Sequence, residues 1–419
     1  MDLGFTIIIL SLFLISMEQA CFVYGWNLSD PSLAQIAHDL YHSSDDLLKE
    51  VKDLVGRHQD TLQMEILQAG NRGYNAEILV ITYGHASKAI DNKTDFRILL
   101  SFGQHGRELI TSEVALRLLS ILSGERAMPG WDSASSNNAL VNLIIKVVPM
   151  ENMNGRKIVE AGDACDRKNG RGVDLNRNWS VDWGKKEKDF DPYEEFPGTS
   201  PFSEPEVQIM RKISRSFNPH VWVNVHSGME GLFMPYDHRN TTPSGVNSNA
   251  MKSILEDLNH HYFQDRCIIG SGGASVGYLA HGTAIDYIYE VLKVPLTFTF
   301  EIYGDIEASA KECFKMFNPI DITNFNKVLD EWCLAFLSIF QSAPKQLEMA
   351  LNKVGSGNLD SSLDEIFRGK MHSTRFEGLD FGMQELRTYF RLFMLSSVLL
   401  LFMFCSRISK SKCKSTIAI

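Results

Sequence analysis

Two residues suited to hold a metal ion, His105 and Glu108, stand three apart at a change of pattern. The apolar run Phe96 to Gly103 ends there, and a helix-patterned run, Leu109 to Leu122, begins. A neutral imidazole and a carboxylate at a strand-to-helix turn can face one ion and leave room for a third ligand and a water. The pair alone is a common pattern, equally at home in a surface turn. The rest of a site follows downstream. Val221 to Val225 ends in His226-Ser227, and Leu296 to Phe300 ends in Glu301. Gly172 to Trp179 carries Asp174, Asn176, Arg177 and Asn178 after a loop. Ligands gather at strand C-terminal ends in α/β sheets, so His105, Glu108, His226 and Glu301 are expected to converge.

The elements that must position them read as α/β, a mixed and mostly parallel central sheet flanked by helices. Strand-like segments are Ala76 to Tyr83, Phe96 to Phe102, Leu140 to Pro149, Val221 to Val225 and Leu296 to Phe300. Unbroken apolar runs such as Leu143-Ile144-Ile145 fit strands buried on both faces. Helical spacing predicts helices over Leu109 to Leu122, Glu206 to Phe217 and Thr323 to Phe340. In the last, Phe325, Val328, Trp332, Phe336 and Ile339 form a core-packing stripe.

The 419 residues carry a formal charge of −10, which argues against nucleic acid as a partner. The stretch from Arg391 is the exception, with Arg407, Lys410, Lys412 and Lys414 and no acidic residue. Phe5 to Ile15 reads as the apolar core of a signal peptide, with cleavage after Ala20 or Gly25. Leu392 to Cys405 is apolar and followed at once by basic residues, a stop-transfer pattern that places the body on the lumenal or extracellular side. Its core is short for a span, which normally needs ~20 residues. The expected order is a signal peptide (1–25), a catalytic body (26–343), a polar stalk (344–388), a membrane span (389–406) and a basic cytosolic tail (407–419). Cys165, Cys267, Cys313 and Cys333 then lie in an oxidising compartment, an even set with three possible pairings. Sequons at Asn27, Asn92, Asn178 and Asn240 agree with secretion, although Asn178 is expected to be too enclosed for a glycan.

Taken together, these motifs resemble those of the zinc metallocarboxypeptidases, the carboxypeptidase A/B and D/E/N group. The resemblance runs from about Asp45 to Ala343 and keeps the family order. His105-x-x-Glu108 comes first, then Asn152 to Gly155, Asp174-Leu175-Asn176-Arg177-Asn178 and Gly198 to Glu206. His226-Ser227 follows, then Tyr278 ahead of Gly282 to Asp286, and Phe298-Thr299-Phe300-Glu301. The resemblance implies one zinc ion held by His105, Glu108 and His226, with Glu301 as general base. It implies Asn176 and Arg177 as the clamp for a peptide's C-terminal carboxylate, Arg167 as oxyanion partner and Tyr278 as a lid. Asp174 would orient a zinc-bound histidine. The implied partners are peptides or proteins with a free C-terminus; oligomeric state is left open.

Specificity is read two ways. Ile285 stands where the pancreatic enzymes have a residue that selects apolar or basic side chains, whereas Asp237 matches an acid that the D/E/N group uses for Arg or Lys. Met153 and Asn154 replace the usual Pro and Asp of a family turn. No inhibitory pro-domain is expected between Gly25 and the body, and no extra β-sandwich after Glu301. Other amidohydrolases on this fold, a deacylase or side-chain deglutamylase, are the alternative reading, with a membrane-anchored binding protein the third. The intact clamp, ligands and base favour the peptidase.

Overall fold

The protein is described here by a computed structural model covering residues 40–84, 95–131, 140, 142–309 and 312–355. Helix α1 (Ser44–Arg57) opens on Ser43, whose hydroxyl accepts from the Asp46 amide, and buries Leu47, Val51, Leu54 and Val55 on one stripe. Strands β1 (Leu62–Asn71) and β2 (Tyr74–Tyr83) form a hairpin. Its two-residue turn, Arg72-Gly73, has φ of 50° and 81°, the left-handed pair that suits strand twist.

Strand β3 (Phe96–Phe102), helix α2 (Leu109–Leu122), strand β4 (Leu143–Val148) and helix α3 (Met153–Glu160) follow. Then come helix α4 (Pro205–Phe217), strands β5 (Val221–His226) and β6 (Met229–Met234), helix α5 (Val246–Phe263) and strand β7 (Ile268–Ser271). Strand β8 (Leu296–Tyr303) and helix α6 (Ile322–Gly355) close the described fold. Among the described residues the strands form one sheet in the order β1-β2-β4-β3-β5-β8-β6-β7. The centre, β4-β3-β5-β8, is parallel, and antiparallel pairs join it to β2 and β6. This is the mixed sheet expected. Because β3, β5 and β8 run the same way, their C-terminal ends reach one edge, with His226 opposite Glu301.

Both faces of the centre are covered. Against one, α4 packs Val207, Met210 and Ile213 onto Leu99 and Trp222. Helix α6 brings the expected stripe to the core: Trp332 stacks near Phe300 at 5.5 Å and donates its indole N–H to the Ile302 carbonyl. The helix does not stop at Ala343, where a stalk was expected, but runs through Pro344. A proline costs a helix one hydrogen bond, and the continued burial of Leu347 and Ala350 offsets that loss.

The cysteines also depart from expectation. Cys165 and Cys313 form a disulfide, while Cys267 and Cys333 are free and buried. They act as small apolar side chains, with Cys333 inside the α6 core. Asn178 is fully buried and donates to Pro197 and Ser200 carbonyls and the Ser203 hydroxyl, which leaves no amide for a sugar. The expected signal peptide, the segment Leu392 to Cys405 and the basic tail lie outside the described residues. No described helix is long and apolar enough to cross a membrane.

Candidate active site

The turn after β3 and the end of β5 bring His105, Glu108 and His226 together; all three are buried, with one ligand atom from each within 4.8 Å of the others. His105 Nδ1 lies 2.7 Å from Glu108 Oε1, and His226 Nδ1 lies 3.0 Å from Glu108 Oε2. The two Nδ1 atoms are themselves 3.0 Å apart. Two imidazoles turned ring nitrogen to ring nitrogen beside a buried carboxylate are poorly reconciled by protons alone. A dication held by His105, Glu108 and His226 would take one lone pair from each, and two histidines with a glutamate are a zinc donor set.

His105 turns its other nitrogen, Nε2, to Asp174 Oδ1 at 3.2 Å. A proton on Nε2 leaves Nδ1 with its lone pair facing the other ligands. Asp174 itself is pinned by its position at the start of the Leu175–Arg177 turn, where it accepts from the Asn176 amide at 2.8 Å. Its other oxygen takes Arg167 Nε at 2.7 Å. Burial alone would raise the Asp174 pKa, but Arg167 and Arg177 outweigh it and hold the carboxyl well below its usual range. Arg167 shows the converse: burial would lower its pKa, yet Asp174 and Glu108 keep it above the ordinary value. Its Nη1 stands 3.9 Å from Glu108 Oε1, so the guanidinium flanks the ligand cluster.

Glu301 projects from β8 beside His226. Burial, and then the charge of Glu108, push its carboxyl up to about 8. A cation bound by Glu108 would offset the second cause and favour the carboxylate form.

A cavity of about 90 Å³ holds the remaining groups: Asn176, Arg177, Asp237 and Tyr278 line it together with His105, Arg167, His226 and Glu301. Tyr278 is 46% exposed, a ring at the rim. Ile285 is not among the lining residues. It is 1% exposed and packs in the core beside Trp179 and Ile288. Asp237 does line it, and burial together with Asp286 pushes its carboxyl up to about 7.

Sequence reasoning did not single out Met229, Phe233, Gly272, Gly273, Val276 and Ala280, which complete the wall with Thr299. The run Gly270 to Gly273 was the available signal. A Cβ on Gly273 would stand 2.4 Å from the Arg239 carbonyl, so the chain passes here only without a side chain. Also missed was the segment 182–197, which borders a second cavity of about 280 Å³ sharing Arg167, Arg177 and Tyr278 with the first.

With this geometry in place, residues 47–324 match the zinc carboxypeptidase family. The chain belongs to that family. Carboxypeptidase A5 of Macaca fascicularis is 25% identical over 288 residues, covering 65% of this chain and 62% of the relative. Carboxypeptidase A2 of Rattus norvegicus is 24% identical over 279 residues, covering 63% of each. The match thus spans less than two thirds of these curated relatives. Among solved structures, thrombin activatable fibrinolysis inhibitor aligns with a TM-score of 0.59 at 20% identity, over 72% of this chain and 73% of that one. The carboxypeptidase A from Helicoverpa armigera gives 0.59 at 19%, over 72% and 74%. These two likenesses establish the shared fold.

Proposed function

We propose that this family member is a zinc-dependent carboxypeptidase that removes C-terminal residues from peptides or proteins. One observation carries the reading: His105 and His226, from a three-residue group that could hold a metal ion, line a single small cavity with the Glu301 carboxyl and a buried arginine. A zinc ion held by His105, Glu108 and His226 would supply Lewis acidity to a peptide carbonyl and make a water acidic. The chain's own groups do the rest. Arg177 grips the terminal carboxylate of the substrate, which fixes the scissile bond one residue from the end. Asn176 assists: its Oδ1 is spent on the Ala284 amide at 2.9 Å, so its Nδ2 is the free donor. Glu301 accepts the proton of the attacking water and passes it to the leaving amine. Arg167 faces the negative charge that develops on the carbonyl oxygen. Tyr278 covers the substrate from the rim.

The presence of Asp237 in the cavity wall supports a preference for a basic C-terminal residue. The test is a set of peptides differing only at the last residue, each as free acid and as amide, incubated with the zinc-loaded protein. Release of one terminal residue from free acids alone supports the proposal; internal cleavage, or equal turnover of amides, overturns it.

For location, the Cys165–Cys313 disulfide supports a lumenal or extracellular body. We also retain the proposal of a C-terminal anchor at Leu392 to Cys405, on its apolar run and the basic residues after it. Extraction of sealed membranes with alkaline carbonate tests it, and release of the full chain into the supernatant would rule out a span.

A further inference from the structure

Arg177, the residue that would grip the substrate's carboxylate, already holds one. Its Nη2 donates to Glu195 Oε1 at 2.6 Å, and its Nη1 to the Asn176 carbonyl at 3.1 Å. A guanidinium has two edges that offer a pair of parallel N–H groups, one formed by Nε with Nη2 and one by Nη1 with Nη2. Nη2 is common to both. Nη2 carries one N–H on each edge, so a carboxylate seated on it takes one edge and crowds a second carboxylate approaching the other.

Charge argues in the same direction. Asp174 Oδ2 stands 3.9 Å from Arg177 Nη1, so the guanidinium has two anionic neighbours before any substrate arrives. A third carboxylate entering beside Glu195 would meet repulsion at short range in a largely buried site. One of the movable anions has to leave. Asp174 is fully buried and tied to Arg167 and His105, whereas the Glu195 side chain is 21% exposed and sits on the cavity rim.

The surrounding segment is built so that Glu195 can turn away without the loop departing. Its neighbour Glu194 takes Arg107 Nη1 at 2.7 Å, and Arg107 is fixed in turn by the Cys165 carbonyl and the face of Phe317. Lys168 donates to the Tyr193 carbonyl on the same stretch, and Glu187 is held by His281 Nε2 at 2.7 Å. Glu195 Oε2 already accepts weakly from the Asp191 amide at 3.3 Å, a partner it keeps when it releases Arg177.

We propose that Glu195 is an internal carboxylate that occupies the Arg177 clamp, competes with the substrate there and is exchanged for its α-carboxylate. The inference rests on the carboxypeptidase reading and deepens it. A free α-carboxylate can replace Glu195 because it can engage both prongs. A terminal amide or ester bears the same cost of displacing Glu195 and regains no ion pair in return.

The test measures binding and turnover separately on the full-length, zinc-loaded protein. Calorimetry with a short peptide as free acid and as amide is run on the wild type, Glu195→Gln and Glu195→Asp; the shorter Asp withdraws the charge without removing it. Both variants should bind the free acid roughly three- to ten-fold more tightly, as expected for loss of a part-exposed competing ion pair. Affinity for the amide should rise by a similar factor, because the cost of displacing Glu195 is common to both ligands. Unchanged or weaker binding of the free acid in both variants would overturn the proposal, since Glu195 would then position Arg177 and not compete for it. If the variants bind the free acid more tightly but no protein hydrolyses it, the exchange stands and the carboxypeptidase reading falls.

Discussion

His226 and Glu301 are register partners on the parallel strands β5 and β8. Side chains of paired residues leave a sheet on the same face, and neighbouring strands lie about 4.8 Å apart. A candidate metal ligand and a carboxyl are thus set side by side by sheet register, without any loop. Replacing Glu301 with Gln keeps the shape and removes the proton acceptor. We expect kcat to fall by about 10²–10⁴-fold, with KM and zinc content little changed. Steady-state kinetics with metal analysis checks this; a near-normal rate would assign the base elsewhere.

Asp174 supports the metal site through His105 Nε2 and holds Arg167 by its other oxygen. The Asp174→Ala protein should bind zinc about 10–100-fold more weakly. Competition with a chelator at fixed pH reads the affinity. Equal zinc affinity in variant and wild type would show that His105 needs no such partner.

The central strands were legible because buried parallel strands write their burial as unbroken apolar runs: β3 falls where Phe96 to Phe102 predicted it. The edge was not. β1 leaves Met64 and Ile66 nearly half exposed, so its sequence carries no such run, and its pairing depends on the Arg72-Gly73 turn. Local spacing pointed to His105 and Glu108, and the ends of two apolar strand runs pointed to His226 and Glu301. What spacing could not convey was which groups already have partners. The Glu195 contact joins residues 18 apart through a loop without periodicity, and Ile285 reads the same whether it faces a pocket or the core.

Asp237 gives specificity a pH signature. Burial and the nearby Asp286 raise its carboxyl to about 7. A raised carboxyl is neutral below that value and charged above it, so its pull on a cationic side chain grows as pH rises from 6 to 8. The ratio of kcat/KM for a C-terminal Arg peptide over its Leu counterpart should increase across that window. In Asp237→Asn the ratio should drop by roughly 30-fold or more at pH 8 and lose its pH dependence. A flat ratio in the wild type would remove Asp237 from the specificity pocket.

Behind the metal ligands, Glu151 is 1% exposed and accepts from Ser101 Oγ at 2.9 Å and Gln104 Nε2 at 3.1 Å. Gln104 precedes His105 and takes Asn224 Nδ2 at 2.9 Å, so this buried network ties the ends of β3 and β5 together. Burial is the main cause that raises the Glu151 carboxyl to about 7. The folded chain therefore binds this proton more tightly than the unfolded chain, where an ordinary glutamate titrates near 4.3. Stability from this group is fully present below that lower value and is lost as pH climbs through about 7. Glu151→Gln keeps an amide in the network and removes the titration. Between pH 5.5 and 8.5 the wild type should lose on the order of 1–3 kcal/mol of stability relative to the variant. Urea unfolding of both proteins at the two pH values cancels the contribution of every other carboxyl. A wild type that instead gains on the variant as pH rises would mean that Glu151 is buried as a stabilised anion, with the network organised around its charge.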